Sequence, residues 1–114
     1  MILKDTAEYR SFLGEGADHT AEWAVYRLTG VLVRERGARN AEDAEHGETT
    51  IYFFPSRSLC TDSEGNPVLL PRMRQGDRVR LVSPDGAERL LRVKEEAIFD
   101  GGSEVLAHVR LRAV

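Results

Sequence analysis

The stretch from Gly76 to Phe99 constrains this chain more than any other. It reads GDRVRLV, then SPDG, then AERLLRVKEEAIF. Ser83-Pro84-Asp85-Gly86 is turn chemistry: proline pre-sets φ for the second turn position, and glycine accepts positive φ after it. The flanking arms alternate. Val79 and Leu81 take one parity, Arg78 and Arg80 the other; Leu91 and Val93 oppose Leu90, Arg92 and Lys94. Successive residues of a strand point to opposite faces, so this pattern predicts a half-buried antiparallel hairpin.

The other elements follow the same period. Residues 5–13, DTAEYRSFL, predict a strand with Ala7, Tyr9, Ser11 and Leu13 on one face, although Tyr9, Phe12 and Leu13 also fit a short helix. Gly14-Glu15-Gly16 breaks that element and lacks the lysine and context of a phosphate loop. A polar connector, 17–22, leads to Trp23, a packing residue. The run 24–36 is rich in β-branched and aromatic residues. Its apolar phase slips at Gly30: Tyr26, Leu28 and Leu32 share one parity, Val25, Val31 and Val33 the other. A glycine at such a slip marks the bend by which a strand turns a barrel corner. Thr49–Phe54 is a strand with two apolar faces, Ile51 and Phe53 against Tyr52 and Phe54, closed by Pro55. It lies either centrally or under a neighbouring subunit. The last run, EVLAHVRLRAV, sets Val105, Ala107, Val109 and Leu111 inward and Leu106, His108, Arg110 and Arg112 outward.

Two segments interrupt the strands. Residues 37–48 hold no large apolar side chain and read as an exposed loop. Asp43, Glu45 and His46 there lack the spacing of a hard-ion site. Residues 56–77 contain turn chemistry at 62–67, and a patch, Val68-Leu69-Leu70, that can anchor the segment on the body. The sum is an all-β chain: a small antiparallel β-barrel of about six strands, one domain over 1–114, with two long loops. Closure is how so few strands hide their edges.

The chemistry of a catalyst is not apparent. His19, His46 and His108 lie in different elements without ligand spacing. Glu95 and Glu96 are adjacent on a strand and point apart. Cys60, the single cysteine, is expected to be a small packing residue. The expectation is therefore a non-enzyme with no cofactor and no metal. No run approaches the roughly 18 apolar residues of a membrane helix, and MILKDTAEYR lacks a secretory apolar region, so a cytosolic protein is expected. Charge is uneven. Residues 1–66 carry 7 basic and 12 acidic side chains, residues 67–114 carry 9 and 7. Unlike halves can steer copies of one chain together head to tail; solvated strand faces account for the same arginines.

With these elements in order, the chain resembles the minor capsid or head-completion proteins of tailed bacteriophages, the head–tail adaptor and stopper family. The resemblance is carried by Asp5–Gly16, by Trp23 before a long bent strand, by the aromatic strand Ile51–Pro55, by G-D-R-V-x-L at Gly76–Leu81, by the Asp85-Gly86 turn with Arg92-Val93-Lys94, and by a terminal strand. It spans nearly the whole length and is a pattern of elements rather than a catalytic signature. The segment Leu59–Leu70 is longer than the family pattern. The resemblance implies a homo-oligomeric ring beneath the portal that closes the DNA exit channel and joins the tail. Its partners would be portal or adaptor and tail proteins, with DNA passing through without sequence-specific binding. It implies assembly in the bacterial cytoplasm, residence at the virion head–tail junction, and for some ring components a monomer in isolation. By position the loop residues Glu42, Asp43, Glu45 and His46 would face the channel. Arg78, Arg80, Leu90, Arg92, Leu106 and Arg110 would meet neighbouring subunits. The competing expectation is a small nucleic-acid-binding barrel that presents Arg78, Arg80, Arg89 and Arg92 to phosphates. The absence of exposed aromatics between those arginines weighs against it.

Overall fold

The computed structural model describes residues 5–36, 48–82, 86–100 and 107–114. It is all-β, with seven strands: β1 (Asp5–Glu15), β2 (Ala21–Arg36), β3 (Glu48–Phe53), β4 (Leu59–Thr61), β5 (Arg78–Val82), β6 (Glu88–Phe99) and β7 (His108–Ala113). Every pairing is antiparallel. Hydrogen bonds run β1–β5–β6–β7–β3–β2 and return to β1, so six strands close on themselves in a barrel-like ring, and β4 adds to β2.

Two long strands make closure possible because each serves two neighbours. Residues 21–31 of β2 pair with β1 and residues 32–36 with β3. The change falls at Gly30, whose φ of 67° is left-handed and favours glycine. Leu28 and Val31 are both fully buried, so the inward parity switches there as the sequence pattern required. β6 behaves alike: 88–92 pair with β5, and 93–99 with β7 across a bulge between Val93 and Glu95. The bulge carries Lys94 outward and re-aims Glu96, whose side chain is only 5% exposed, to the inner side.

The core is Ala7, Tyr9, Leu28, Val31, Ile51, Phe53, Cys60, Met73, Val79, Leu81, Val93 and Leu111. These are the inward positions of alternating strands, plus two residues, Cys60 and Met73, from the segment read as irregular. That segment is ordered in two ways. It contributes β4, which pairs 59–61 with 29–27 of β2. Glu96 also holds it, accepting hydrogen bonds from Arg72 Nε and the Met73 amide, both at 2.7 Å. Leu70 packs on the core as the anchor reading expected, while Leu69 is 93% exposed.

Several boundaries differ from the sequence reading. The helix alternative for 5–13 does not occur: β1 is a strand through Glu15. β2 starts at Ala21, shortening the polar connector. Glu48 belongs to β3, not to the preceding loop, because it pairs with Arg36 of β2; Arg112 on β7 also binds its carboxylate. Leu13 is exposed rather than inward, since β1 has left the barrel wall by that point and continues only as a two-stranded ribbon with β2. β3 lies centrally, between β2 and β7.

Candidate interaction surface

The hairpin β5–β6 is fixed to the barrel through Asp77, the residue just before β5. Its side chain is 2% exposed. Tyr9 Oη, fully buried on β1, donates to Asp77 Oδ2. The Arg74 amide donates to the same oxygen at 2.9 Å, and the Phe12 amide to Oδ1 at 3.0 Å. The Asp77 carbonyl accepts from the Val93 amide at 2.8 Å. A buried carboxylate needs such donors to offset lost hydration. Burial raises the Tyr9 pKa well above the usual phenol value, and the bond to Asp77 raises it further. The hydroxyl is therefore a fixed donor.

This anchoring presents an outward face. Arg78 lies directly across from Arg92 on β6 and from Arg10 on β1, so three arginines form one cross-strand row. Facing pairs in adjacent strands have Cβ atoms about 5 Å apart, and like charges at that separation destabilise a sheet. Arg10 is partnered by Glu8 at 2.6 Å. The guanidinium groups of Arg78 and Arg92 have no ion pair among the described residues. The next row differs. Arg80 bonds Glu88 and lies 3.5 Å from Glu8, and the Glu88 bond holds its guanidinium protonated beyond the ordinary range. Arg89 does not share this face: it lies across from buried Leu81, on the inward side of the hairpin, and pairs with Glu35. Leu90, opposite Arg80, is 60% exposed among these charges.

The sequence-predicted interface residues thus divide. Arg78, Arg80, Leu90 and Arg92 converge on one face. Arg110 lies beyond the β6 bulge, on the outside of β7, 5.1 Å over the ring of Phe99 and 3.7 Å from Glu95. There His108 stacks on Phe99 at 4.8 Å and touches Tyr52 and Phe54. Leu106 and the loop residues Glu42, Asp43, Glu45 and His46 lie outside the described residues.

Sequence reasoning missed Arg10, since nothing local says that β1 borders β5. It also missed Asp77, whose partners are 65 and 68 residues away. A third feature is an apolar groove of about 460 Å³ lined by Leu59, Val68, Leu69, Pro71, Ile98 and Val109. Among the described residues, no three His, Cys, Asp or Glu side chains converge as metal ligands, and no helix is long and apolar enough to cross a membrane. Cys60 is buried, which pushes its thiol pKa up, with the charge of Asp62 adding to the rise. No family model, curated protein or solved structure matches the chain.

Proposed function

We propose that this chain is a structural component of a tailed-bacteriophage or prophage head–tail junction, one copy of a ring beneath the portal that closes the DNA exit and joins the tail. The observation that carries this reading is the outward face of β1, β5 and β6. It combines an exposed leucine with two arginines that have no carboxylate partner among the described residues, which is contact chemistry for other protein surfaces. The order of elements also supports it: a long bent strand that carries Trp23, an aromatic strand ending before Pro55, and a Gly-Asp turn opening a hairpin. In this reading Glu42, Asp43, Glu45 and His46, between β2 and β3, line the channel, and their acidic groups keep passing DNA from adhering. The portal or adaptor and the tail are the partners, met after assembly in the bacterial cytoplasm.

The test is deletion of the gene from the phage or prophage that carries it. The expected result is heads that package DNA, lose it and fail to join tails, with rescue by the intact gene. Particles with normal DNA content and tails would rule the reading out. Excision of residues 38–46 alone should impair DNA retention.

A second reading, nucleic-acid binding, is favoured by the row Arg10–Arg78–Arg92. It is weakened by the ion pairs that occupy Arg80 and Arg89. Salt-dependent binding of DNA or RNA fragments, lost in Arg78→Gln/Arg92→Gln, would support it; no binding at low salt would remove it.

A further inference from the structure

The arginine row has a counterpart of opposite charge on the same molecule. The β1–β2 ribbon ends in a turn over residues 16–20, closed by the Gly16 amide on the Thr20 carbonyl at 2.8 Å and the His19 amide on the Gly16 carbonyl at 3.0 Å. Asp18 accepts from the Thr20 amide at 3.2 Å and from Thr20 Oγ1 at 2.5 Å, and these bonds lower its pKa. Glu15, paired with Ala21, and Glu22, paired with Gly14, flank the turn on opposite faces of the ribbon. None of the three carboxylates meets a lysine or arginine among the described residues; His19 Nδ1 lies 3.7 Å from Glu15. Leu13, 65% exposed, precedes the turn on β1. The tip is thus acidic on both faces of the ribbon, with an exposed leucine just before it. The hairpin face is a leucine, Leu90, among arginines.

The tip cannot reach the row of its own chain. Both lie on one hydrogen-bonded ribbon, with Arg10 facing Val25 and Glu15 facing Ala21. Five residues of extended strand separate Arg10 from Glu15 by roughly 17 Å. Only another molecule can bring the charges together. We infer that the occupant of the arginine row is a second copy of this chain, which seats its Glu15/Asp18/Glu22 tip, with Leu13, against Arg10, Arg78, Arg92 and Leu90. The two surfaces differ, so the contact is heterologous and can repeat from copy to copy. The inference deepens the connector reading by naming the contact between copies, and it rests on that reading only for the assembly in which the contact serves.

The test is sedimentation velocity of the whole chain. At low salt the wild type should exceed its monomer mass of 12.8 kDa as concentration rises, and return to it near ~0.5 M salt, where screening reaches a few ångströms. Arg78→Glu/Arg92→Glu should weaken self-association at least ~10-fold, and so should Glu15→Lys/Glu22→Lys. Each variant carries like charges on both surfaces. Mixed in equal amounts, the two variants meet through opposite charges, and association should return. Arg78→Gln/Arg92→Gln, with circular dichroism on all variants, separates loss of contact from loss of fold. A wild type monomeric at all concentrations, variants that associate normally, or a mixture that stays monomeric would each overturn the inference. So would a row that binds a DNA oligonucleotide while the chain stays monomeric. Charge-swap rescue alongside normal particles from the gene deletion would leave the contact standing and refute the connector role. Leaking heads with no charge-swap effect would do the reverse.

Discussion

Removal of the Tyr9 hydroxyl is the sharpest probe of how this barrel holds its hairpin. Tyr9→Phe keeps the buried ring and deletes one donor to Asp77. A hydrogen bond to a charged group contributes about 1.5–3 kcal/mol, and that is the expected loss. Asp77→Ala is more severe. It strands the Tyr9 hydroxyl and the Phe12 and Arg74 amides, each about 1–3 kcal/mol when left unsatisfied. The expected loss is about 3–9 kcal/mol, a large part of a typical total of roughly 5–15 kcal/mol. The two residues share one bond, so the double variant should lose less than the sum, by about 1 kcal/mol or more. Urea unfolding reads these values, with far-UV circular dichroism for the sheet. The single tryptophan reads the ribbon: Trp23 lies edge-on to Phe12 at 5.2 Å, and the Phe12 amide is bound by Asp77. A Tyr9→Phe loss under about 0.5 kcal/mol, or strict additivity, would refute the assignment of Asp77 as the anchor.

Other outcomes follow from the same structure. The raised Tyr9 pKa means that the unfolded chain releases this proton first, so its contribution is intact below the ordinary phenol value of 10.0 and declines as pH rises above it. The slope should approach about 1.4 kcal/mol per pH unit and vanish in Tyr9→Phe, as alkaline melts at several pH values can read. Glu96→Ala should free the Arg72–Met73 segment and cost about 1.5–3 kcal/mol, with faster hydrogen exchange at the Met73 amide as the specific signature. Gly30→Ala forces a side chain into a left-handed position at the β2 bend and should lower stability by about 1 kcal/mol, measured by thermal melt. Cys60, buried and with its thiol pKa raised, should react with a thiol reagent orders of magnitude more slowly folded than in denaturant; equal rates would contradict its burial.

Much of the fold was legible because it is local. The alternation of Arg78–Val82 and of Glu88–Val93 states which side chains face in, and the structure places Val79, Leu81 and Val93 in the core. The phase slip at Gly30 marked the bend before any neighbour was known. Legibility ended where neighbours decide the outcome. Lys94 cannot be read as a bulge from a run of charged residues, and Leu13 looks inward until β1 is seen to outrun the barrel. Four of the predicted interface residues do share a face, yet Arg80 is bound by Glu8 and Glu88, while Arg78 faces a second and a third arginine.

By itself the sequence determined six of the strands and most of their faces, because alternation acts over a few residues of backbone; the Ser83–Asp85 turn lies outside the described residues. The tertiary structure alone decided that β1 borders β5, that six strands close on each other, and that Asp77 collects donors from residues 65 and 68 positions away. It also decided which arginines are neutralised. Whether a guanidinium keeps its charge for a partner depends on which carboxylate lies across the neighbouring strand, and no local period encodes that neighbour.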